Sequence, residues 1–300
     1  MPTFDPKEIP TAKLHQLMLG SVAPRPVAFA STLDKEGTPN LSPFSFYNCF
    51  GSNPPVLVFS PARRVRDNTI KHTLENVRET GEVVINAVSY AMVQQTSLSS
   101  VEYPKGVNEF VKAGFTEEPS VMVKPPRVKE SPVQFECKVH EVIETGPHGG
   151  AGNLVVCHIV LMHVNENVLD ENGRIDPHKI DLVARMGNDF YCRASGTAVF
   201  EVPKPNTRPA VGFDSIPLRI RNSRVLTGNN LGQLGNVEQL PDDESIKEAA
   251  KWEAVKQLQD TYANDKRKYR DELHRLAQSY LDEHNAMDAW RILLQDIDDE

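Results

Sequence analysis

The chain has 300 residues, 39% hydrophobic and 25% charged, the proportions of an ordinary globular protein rather than a fibrous or wholly disordered one. No apolar run approaches the roughly 20 residues of a membrane helix, and the start, Met1-Pro2-Thr3-Phe4-Asp5, lacks the basic and apolar pattern of a signal peptide. The net charge of −8 is concentrated at the end, where residues 242–300 hold 16 acidic and 9 basic side chains; the near-neutral remainder argues against a nucleic-acid surface.

The first predicted strand is Pro26 to Leu33, followed by a hairpin turn at Asp34-Lys35-Glu36-Gly37. Strands are then expected at Asn40 to Phe46, Pro55 to Ser60 and Val83 to Val88, with a turn at Gly51 to Pro55. Asn68 to Thr80 and Tyr90 to Ser97 read as short helices between them. Later strands are Val133 to Ile143, Asn153 to Val164 and Gly196 to Val202. Strands separated by turns, with helices tucked between, favour an antiparallel barrel over a parallel α/β sheet.

Glycine and proline mark the main boundary. All 17 glycines and 22 prolines lie at or before Pro241. The body, 1–202, is therefore turn-rich, 203–241 reads as an extended linker, and 242–300 is helical. In that tail Val255, Leu258, Tyr262, Tyr269, Leu273, Leu276 and Tyr280 form an apolar stripe interrupted at Asp265, and a short helix follows from Met287 to Ile297. The stripe either packs on its own body or pairs as an arm across a dimer.

Several chemistries find no support. There is no Walker loop, GxGxxG or GxSxG, and the GPHGGAG stretch from Gly146 to Gly152 lacks a strand-then-helix context. Cys49, Cys137, Cys157 and Cys192 form no CxxC pair and read as free thiols of a soluble, cytoplasmic protein. There is no HExxH, and His158 and His163, five apart on one strand, point to opposite faces, so no metal site is expected.

The informative region is Arg25 to Asn76. Ser42-Pro43-Phe44-Ser45-Phe46, with Asn48 beyond it, mixes hydroxyls and aromatics on one strand. A planar heterocycle needs that combination of main-chain groups and apolar walls. Ser60-Pro61-Ala62-Arg63-Arg64 and Lys71-His72-Thr73 then place cations and hydroxyls before a helix, where a phosphate tail would bind. An ordinary half-buried strand with a solvated basic loop would show the same pattern.

The stretches SVAPRPVAFASTLDKEGTPNLSPFSFYNCFGSNPPVLVFSP, HTLENVRETGEVVINAV, EYPKGVNEF, VKPPRVKESPVQFECKVHEVIE and DLVARMGNDFYCR together resemble the flavin-reductase-like family, in order, from about Lys13 to Arg193. The resemblance implies a mainly β, six-stranded antiparallel FMN-binding split barrel of Greek-key type, with flanking short helices and a homodimeric assembly; the helical C-terminal extension lies outside it. It further implies an FMN site. Ser42, Pro43, Phe44, Ser45 and Phe46 would present backbone groups to the ring with Asn48 nearby; Ser60, Pro61 and Arg63 would border the ribityl chain; Lys71 and Thr73 would meet the phosphate. His72 stands where relatives often carry Asp. Arg25 is a second phosphate candidate or a structural ion pair. His148, in Gly146-Pro147-His148, would contact nicotinamide or a flavin carbonyl, or is an exposed loop residue. Phe190 and Tyr191 would approach the flavin, or simply pack in the core. Cys49 reads as a small hydrophobe rather than a redox centre. The activity implied is NAD(P)H:flavin oxidoreduction, with NAD(P)H and free flavin as partners. A flavoredoxin-like carrier reduced by a protein partner and a non-enzymatic binding module are the alternatives.

Overall fold

The computed structural model describes residues 1–204 and 208–296. Two units divide the chain, 1–200 and 201–300. The first runs α1 (Thr11–Ser21), β1 (Ala28–Leu33), β2 (Pro39–Phe44), β3 (Tyr47–Ser52), β4 (Pro55–Phe59), α2 (His72–Thr80), β5 (Glu82–Asn86), α3 (Val93–Leu98), α4 (Glu109–Ala113), β6 (Glu117–Glu118), β7 (Arg127–Val128), β8 (Val133–Glu144), β9 (Asn153–Val164), β10 (Val183–Arg185) and β11 (Tyr191–Arg193).

Seven strands form one antiparallel sheet in the order β2-β1-β5-β8-β9-β4-β3. The six strands expected from the sequence are thereby corrected to seven. β2 and β3 lie at opposite ends of that order, yet only Ser45 and Phe46 separate them. Two residues reach at most about 11 Å, so the sheet must roll until its ends meet at this corner. The Ser60 amide donates to the Phe46 carbonyl (2.8 Å), and the rings of Phe44 and Phe59 lie 5.5 Å apart across the roll. Among the described residues no β2–β3 ladder closes it, so the sheet is an open roll rather than a closed barrel.

Strand β1 is buried on both faces, which explains its short apolar run. Ala28 and Ala30 join Phe44, Phe59, Ile85, Val155 and Cys157 inside the roll; Val27 and Phe29 face Leu41, Phe110 and Phe115 on the other side. The expected strand at Gly196 to Val202 is a 3₁₀ turn over Gly196–Ala198. Gly196 has φ +57°, a left-handed conformation that stops an extended chain.

The second unit holds α5 (Leu218–Arg221), α6 (Gly228–Gly235), α7 (Asp243–Ala249), α8 (Glu253–Thr261), α9 (Lys266–Asp282) and α10 (Ala286–Leu293). Trp290, Leu273, Leu281, Ile216, Ile220 and Leu234 are fully buried in one core, and the Trp290 indole donates to the Leu234 carbonyl (2.9 Å). Within 203–241, read from sequence as an extended linker, Leu218–Arg221 and Gly228–Gly235 form α5 and α6, and Ile216, Ile220, Leu231 and Leu234 join this core. The apolar stripe is likewise covered within its own unit: Val255 and Leu273 are buried, with Leu258, Tyr269, Leu276 and Tyr280 packed against them. Asp265 interrupts the stripe because it caps α9, accepting the Lys268 amide. The last expected helix ends at Leu293; Ile297 lies outside the described residues.

Candidate functional site

The N-terminus of α2 opens into a groove with about 320 Å³ of space, part of it solvent. Asn40, Ser42, Arg64, Lys71, His72 and Thr73 line one part of it, and Ser99 to Tyr103 and Glu109 the rest. The fold thus brings together Ser42, Lys71 and Thr73 across 31 positions of sequence. Lys71 is half-buried at the cap of the helix, and burial followed by repulsion from Arg64 lowers its ammonium pKa. Cations thus lie beside a helix start, the kind of arrangement in which a cradle for an anion can form.

Thr73 sits beneath this cradle. It is 1% exposed, and its hydroxyl donates to Asn40 Oδ1 at 2.8 Å. Asn40 Nδ2 donates to Glu109 Oε1 (3.0 Å), whose other oxygen accepts the Leu41 amide (3.0 Å). This chain of bonds ties α2, β2 and α4 together. The Thr73 hydroxyl proton is already committed, so its side chain braces the floor of the groove.

Arg64, not Arg63, is the arginine of the groove. Its Nη1 donates to Thr69 Oγ1 (2.8 Å) and the Ile70 carbonyl (2.6 Å), and its Nε donates to Glu102 Oε1 (2.7 Å). Lys71 Nζ lies 3.7 Å from the same Glu102 oxygen, and Arg66 Nη2 donates to Oε2. The hydrogen bond from Arg64 is the largest of the effects that hold the Glu102 carboxyl below its usual range. Sequence reasoning missed Glu102, although it lies in the matched EYPKGVNEF stretch.

Other expected ligands are absorbed by the scaffold. Arg63 Nε donates to Asn68 Oδ1 (2.8 Å), and its main chain pairs with Gly150 and Ala151. Ser60 is buried, its Oγ accepting the Asn153 amide (3.0 Å), while the Pro61 carbonyl accepts from Asn153 Nδ2 (2.9 Å). The GPHGGAG turn packs against this loop: a Cβ on Gly149 would lie 2.9 Å from the Arg64 carbonyl oxygen, so only glycine allows the approach. His148 is exposed at its tip.

Arg25 is 5% exposed and clamps main chain. Its guanidinium donates to the carbonyls of Leu19 (2.6 Å), Val22 (2.5 Å) and Met186 (2.9 Å). Nε reaches Ser45 Oγ at 3.4 Å. Through these bonds it links the Ser45–Phe46 corner to the β10–β11 hairpin, with no carboxylate partner among the described residues. Burial, then Arg185, lowers its pKa. On that hairpin Phe190 is exposed and Tyr191 packs on the outer core beneath the Arg185 guanidinium, 4.8 Å from its ring centroid.

At the corner, Phe44 is buried, Pro43 and Ser45 are half-buried, and Phe46 meets the His15 ring edge-on at 6.1 Å. Asn48 is exposed on β3, its Oδ1 accepting the Cys49 amide (2.8 Å). Among the described residues no strand pairs with the outer sides of β2 and β3, although the Leu41 amide of β2 is taken by Glu109. His163 binds Glu136 (2.7 Å) while His158 stacks on His140 (4.6 Å).

A rolled antiparallel sheet flanked by short helices, with a basic groove at one helix start, defines a mainly β class of fold. The chain belongs to the flavin reductase like domain family, whose model matches residues 19–179. An uncharacterized protein of Aquifex aeolicus is 38% identical over 199 residues, 66% of this chain and 99% of the relative. Nitrilotriacetate monooxygenase component B from Bacillus cereus superposes with TM-score 0.62 at 28% identity, covering 67% of this chain and 98% of its own. A candidate flavin reductase with a split barrel domain from Shewanella frigidimarina gives TM-score 0.58 at 27% identity, covering 68% and 100%. The fold is thus the mainly β split-barrel type with flanking helices, and the family match lies wholly within the first unit.

Proposed function

We propose that the first unit binds FMN and catalyses NAD(P)H:flavin oxidoreduction. The observation that carries the reading is the convergence of Ser42, Arg64 and Lys71 on the start of α2, in a chain of the flavin reductase like family. Arg64 and Lys71 would neutralise the phosphate, and the α2 amides would add fixed dipoles. Ser42 to Phe46 and Asn48 would hold the ring edge through main-chain groups at the corner, and the Arg25 clamp keeps that corner and the Phe190–Tyr191 hairpin in register. Bound FMN would supply the hydride-accepting chemistry, which is why no acid–base dyad is required of the protein.

His148 is exposed on the turn whose Gly149 packs against the Arg64 and Val65 main chain, and a contact with incoming nicotinamide is part of this reading. A homodimer belongs to the same reading. It is supported by the exposure of β3 and by exposed Phe50, Val160 and Met162 on β3 and β9.

The test is oxidation of NADH and NADPH, followed at 340 nm, with and without added FMN. Flavin-dependent loss of either nicotinamide is expected. No oxidation at saturating flavin would contradict the activity, and a yellow protein inert to both nicotinamides would point to electron carriage from a protein donor.

A further inference from the structure

We propose that Glu102 is a built-in competitor for the phosphate group, a carboxylate that occupies the anion cradle and must leave before the ligand is fully bound. The inference rests on the reading of the groove as a flavin phosphate site.

Three cations meet this one side chain. Arg64 donates to Oε1, Lys71 lies 3.7 Å from the same oxygen, and Arg66 donates to Oε2. Arg64 does not depend on Glu102 for its place, because Nη1 is held separately by Thr69 and the Ile70 carbonyl. The Lys71 backbone is likewise fixed, as the cap residue of α2, and it is the flexible ammonium end of the side chain that meets Glu102. The carboxylate is therefore removable without dismantling the cradle. It is carried by the loop between α3 and α4, and its side chain is 36% exposed, so it has room to swing out.

A phosphate carries about −1.5 to −2 charges near neutrality and three strong acceptor oxygens, against one charge and two oxygens for Glu102. It wins the exchange, but only by the difference. The flavin is accordingly held loosely enough to leave, as suits a flavin that is exchanged as a substrate rather than kept as a resident cofactor.

The test is the Glu102→Gln variant, which keeps shape and removes charge. FMN and riboflavin are titrated into both proteins by flavin fluorescence, with a thermal melt confirming that the variant folds. The expected result is FMN binding about tenfold tighter in the variant with riboflavin unchanged, the size of one hydrogen-bonded charge. The inhibition constant of inorganic phosphate against FMN should fall by a similar factor in the variant. Unchanged or weaker FMN binding in Glu102→Gln would overturn the competition and make Glu102 an organiser of the cations. Failure of the wild-type chain itself to bind FMN would overturn the phosphate site and the competition with it.

Discussion

Replacing Arg25 with leucine separates the main-chain clamp seen in the structure from the phosphate contact that the family resemblance suggested. The side chain is 5% exposed and satisfies three main-chain carbonyls, those of Leu19, Val22 and Met186, at 2.5 to 2.9 Å. Leucine fills part of the volume and leaves all three acceptors without this donor. A buried polar group stripped of its partner costs about 1–3 kcal/mol. Partial access of water to the α1 end lowers that sum, and the buried guanidinium's own desolvation is relieved, so a net loss of about 2–4 kcal/mol is expected. For a unit of this size about 1 kcal/mol moves the melting temperature by roughly 2–4 °C, giving a fall of about 4–16 °C. Differential scanning calorimetry of wild type and variant measures it directly. Arg25→Lys should recover only a fraction, since one ammonium does not reproduce a planar fork aimed at three carbonyls. A variant that melts like wild type but loses FMN binding would refute the clamp and restore Arg25 as a phosphate ligand.

Lys71→Glu should weaken FMN binding by about 1–3 kcal/mol through loss of a charge-assisted bond, with riboflavin unaffected; an unchanged FMN dissociation constant removes Lys71 from the site. A chain ending at Phe200 should fold, whereas one ending at Pro241 strips Ile216, Ile220, Leu231 and Leu234 of α7–α10. Exposing those four side chains costs about 6–12 kcal/mol, so residues 201–241 should be cut rapidly by trypsin; protection of that segment would count against the shared helical core. Alkaline pH should destabilise the sheet. Burial pushes the Cys157 thiol up from 9.0 to about 12, and burial first, then Cys157, raises Cys137 as well. The unfolded chain loses these protons first, so stability is full below pH 9 and declines from there to about pH 12, by roughly 1.4 kcal/mol per pH unit per thiol. A melting temperature flat between pH 8.5 and 11 would show the thiols to be hydrated.

The strands with continuous apolar runs were legible in the sequence, because burial on both faces leaves little choice of residue: Ala28 to Ala30 within β1 and Val83 to Ile85 within β5 are examples. Strand β3 was not. Its residues are nearly all exposed, and the bulge between Cys49 and Gly51 breaks the alternation that marks a strand. The helical unit hid for a different reason. Its core joins Ile216, Ile220 and Leu234 to Leu273 and Trp290, and no local period announces a partner so far along the chain. At the site, Lys71 and Thr73 were legible as a helix start. Which of Arg63 and Arg64 turns inward depends on a loop whose path is set by the glycine turn at Gly149 and Gly150, and sequence spacing carries no trace of that. Arg25 looked like a ligand because a charged side chain between two prolines gives no hint that three carbonyls await it.

The central claim is a phosphate-reading flavin site at the start of α2, and the direct measurement is the ratio of riboflavin to FMN dissociation constants for the wild-type chain at low salt. The two ligands share the ring and ribityl chain and differ in the phosphate alone. Contacts from Lys71, Arg64 and the helix amides should make FMN at least about tenfold tighter, with the advantage shrinking as salt rises. Equal affinities, or no binding of either flavin, would contradict the account.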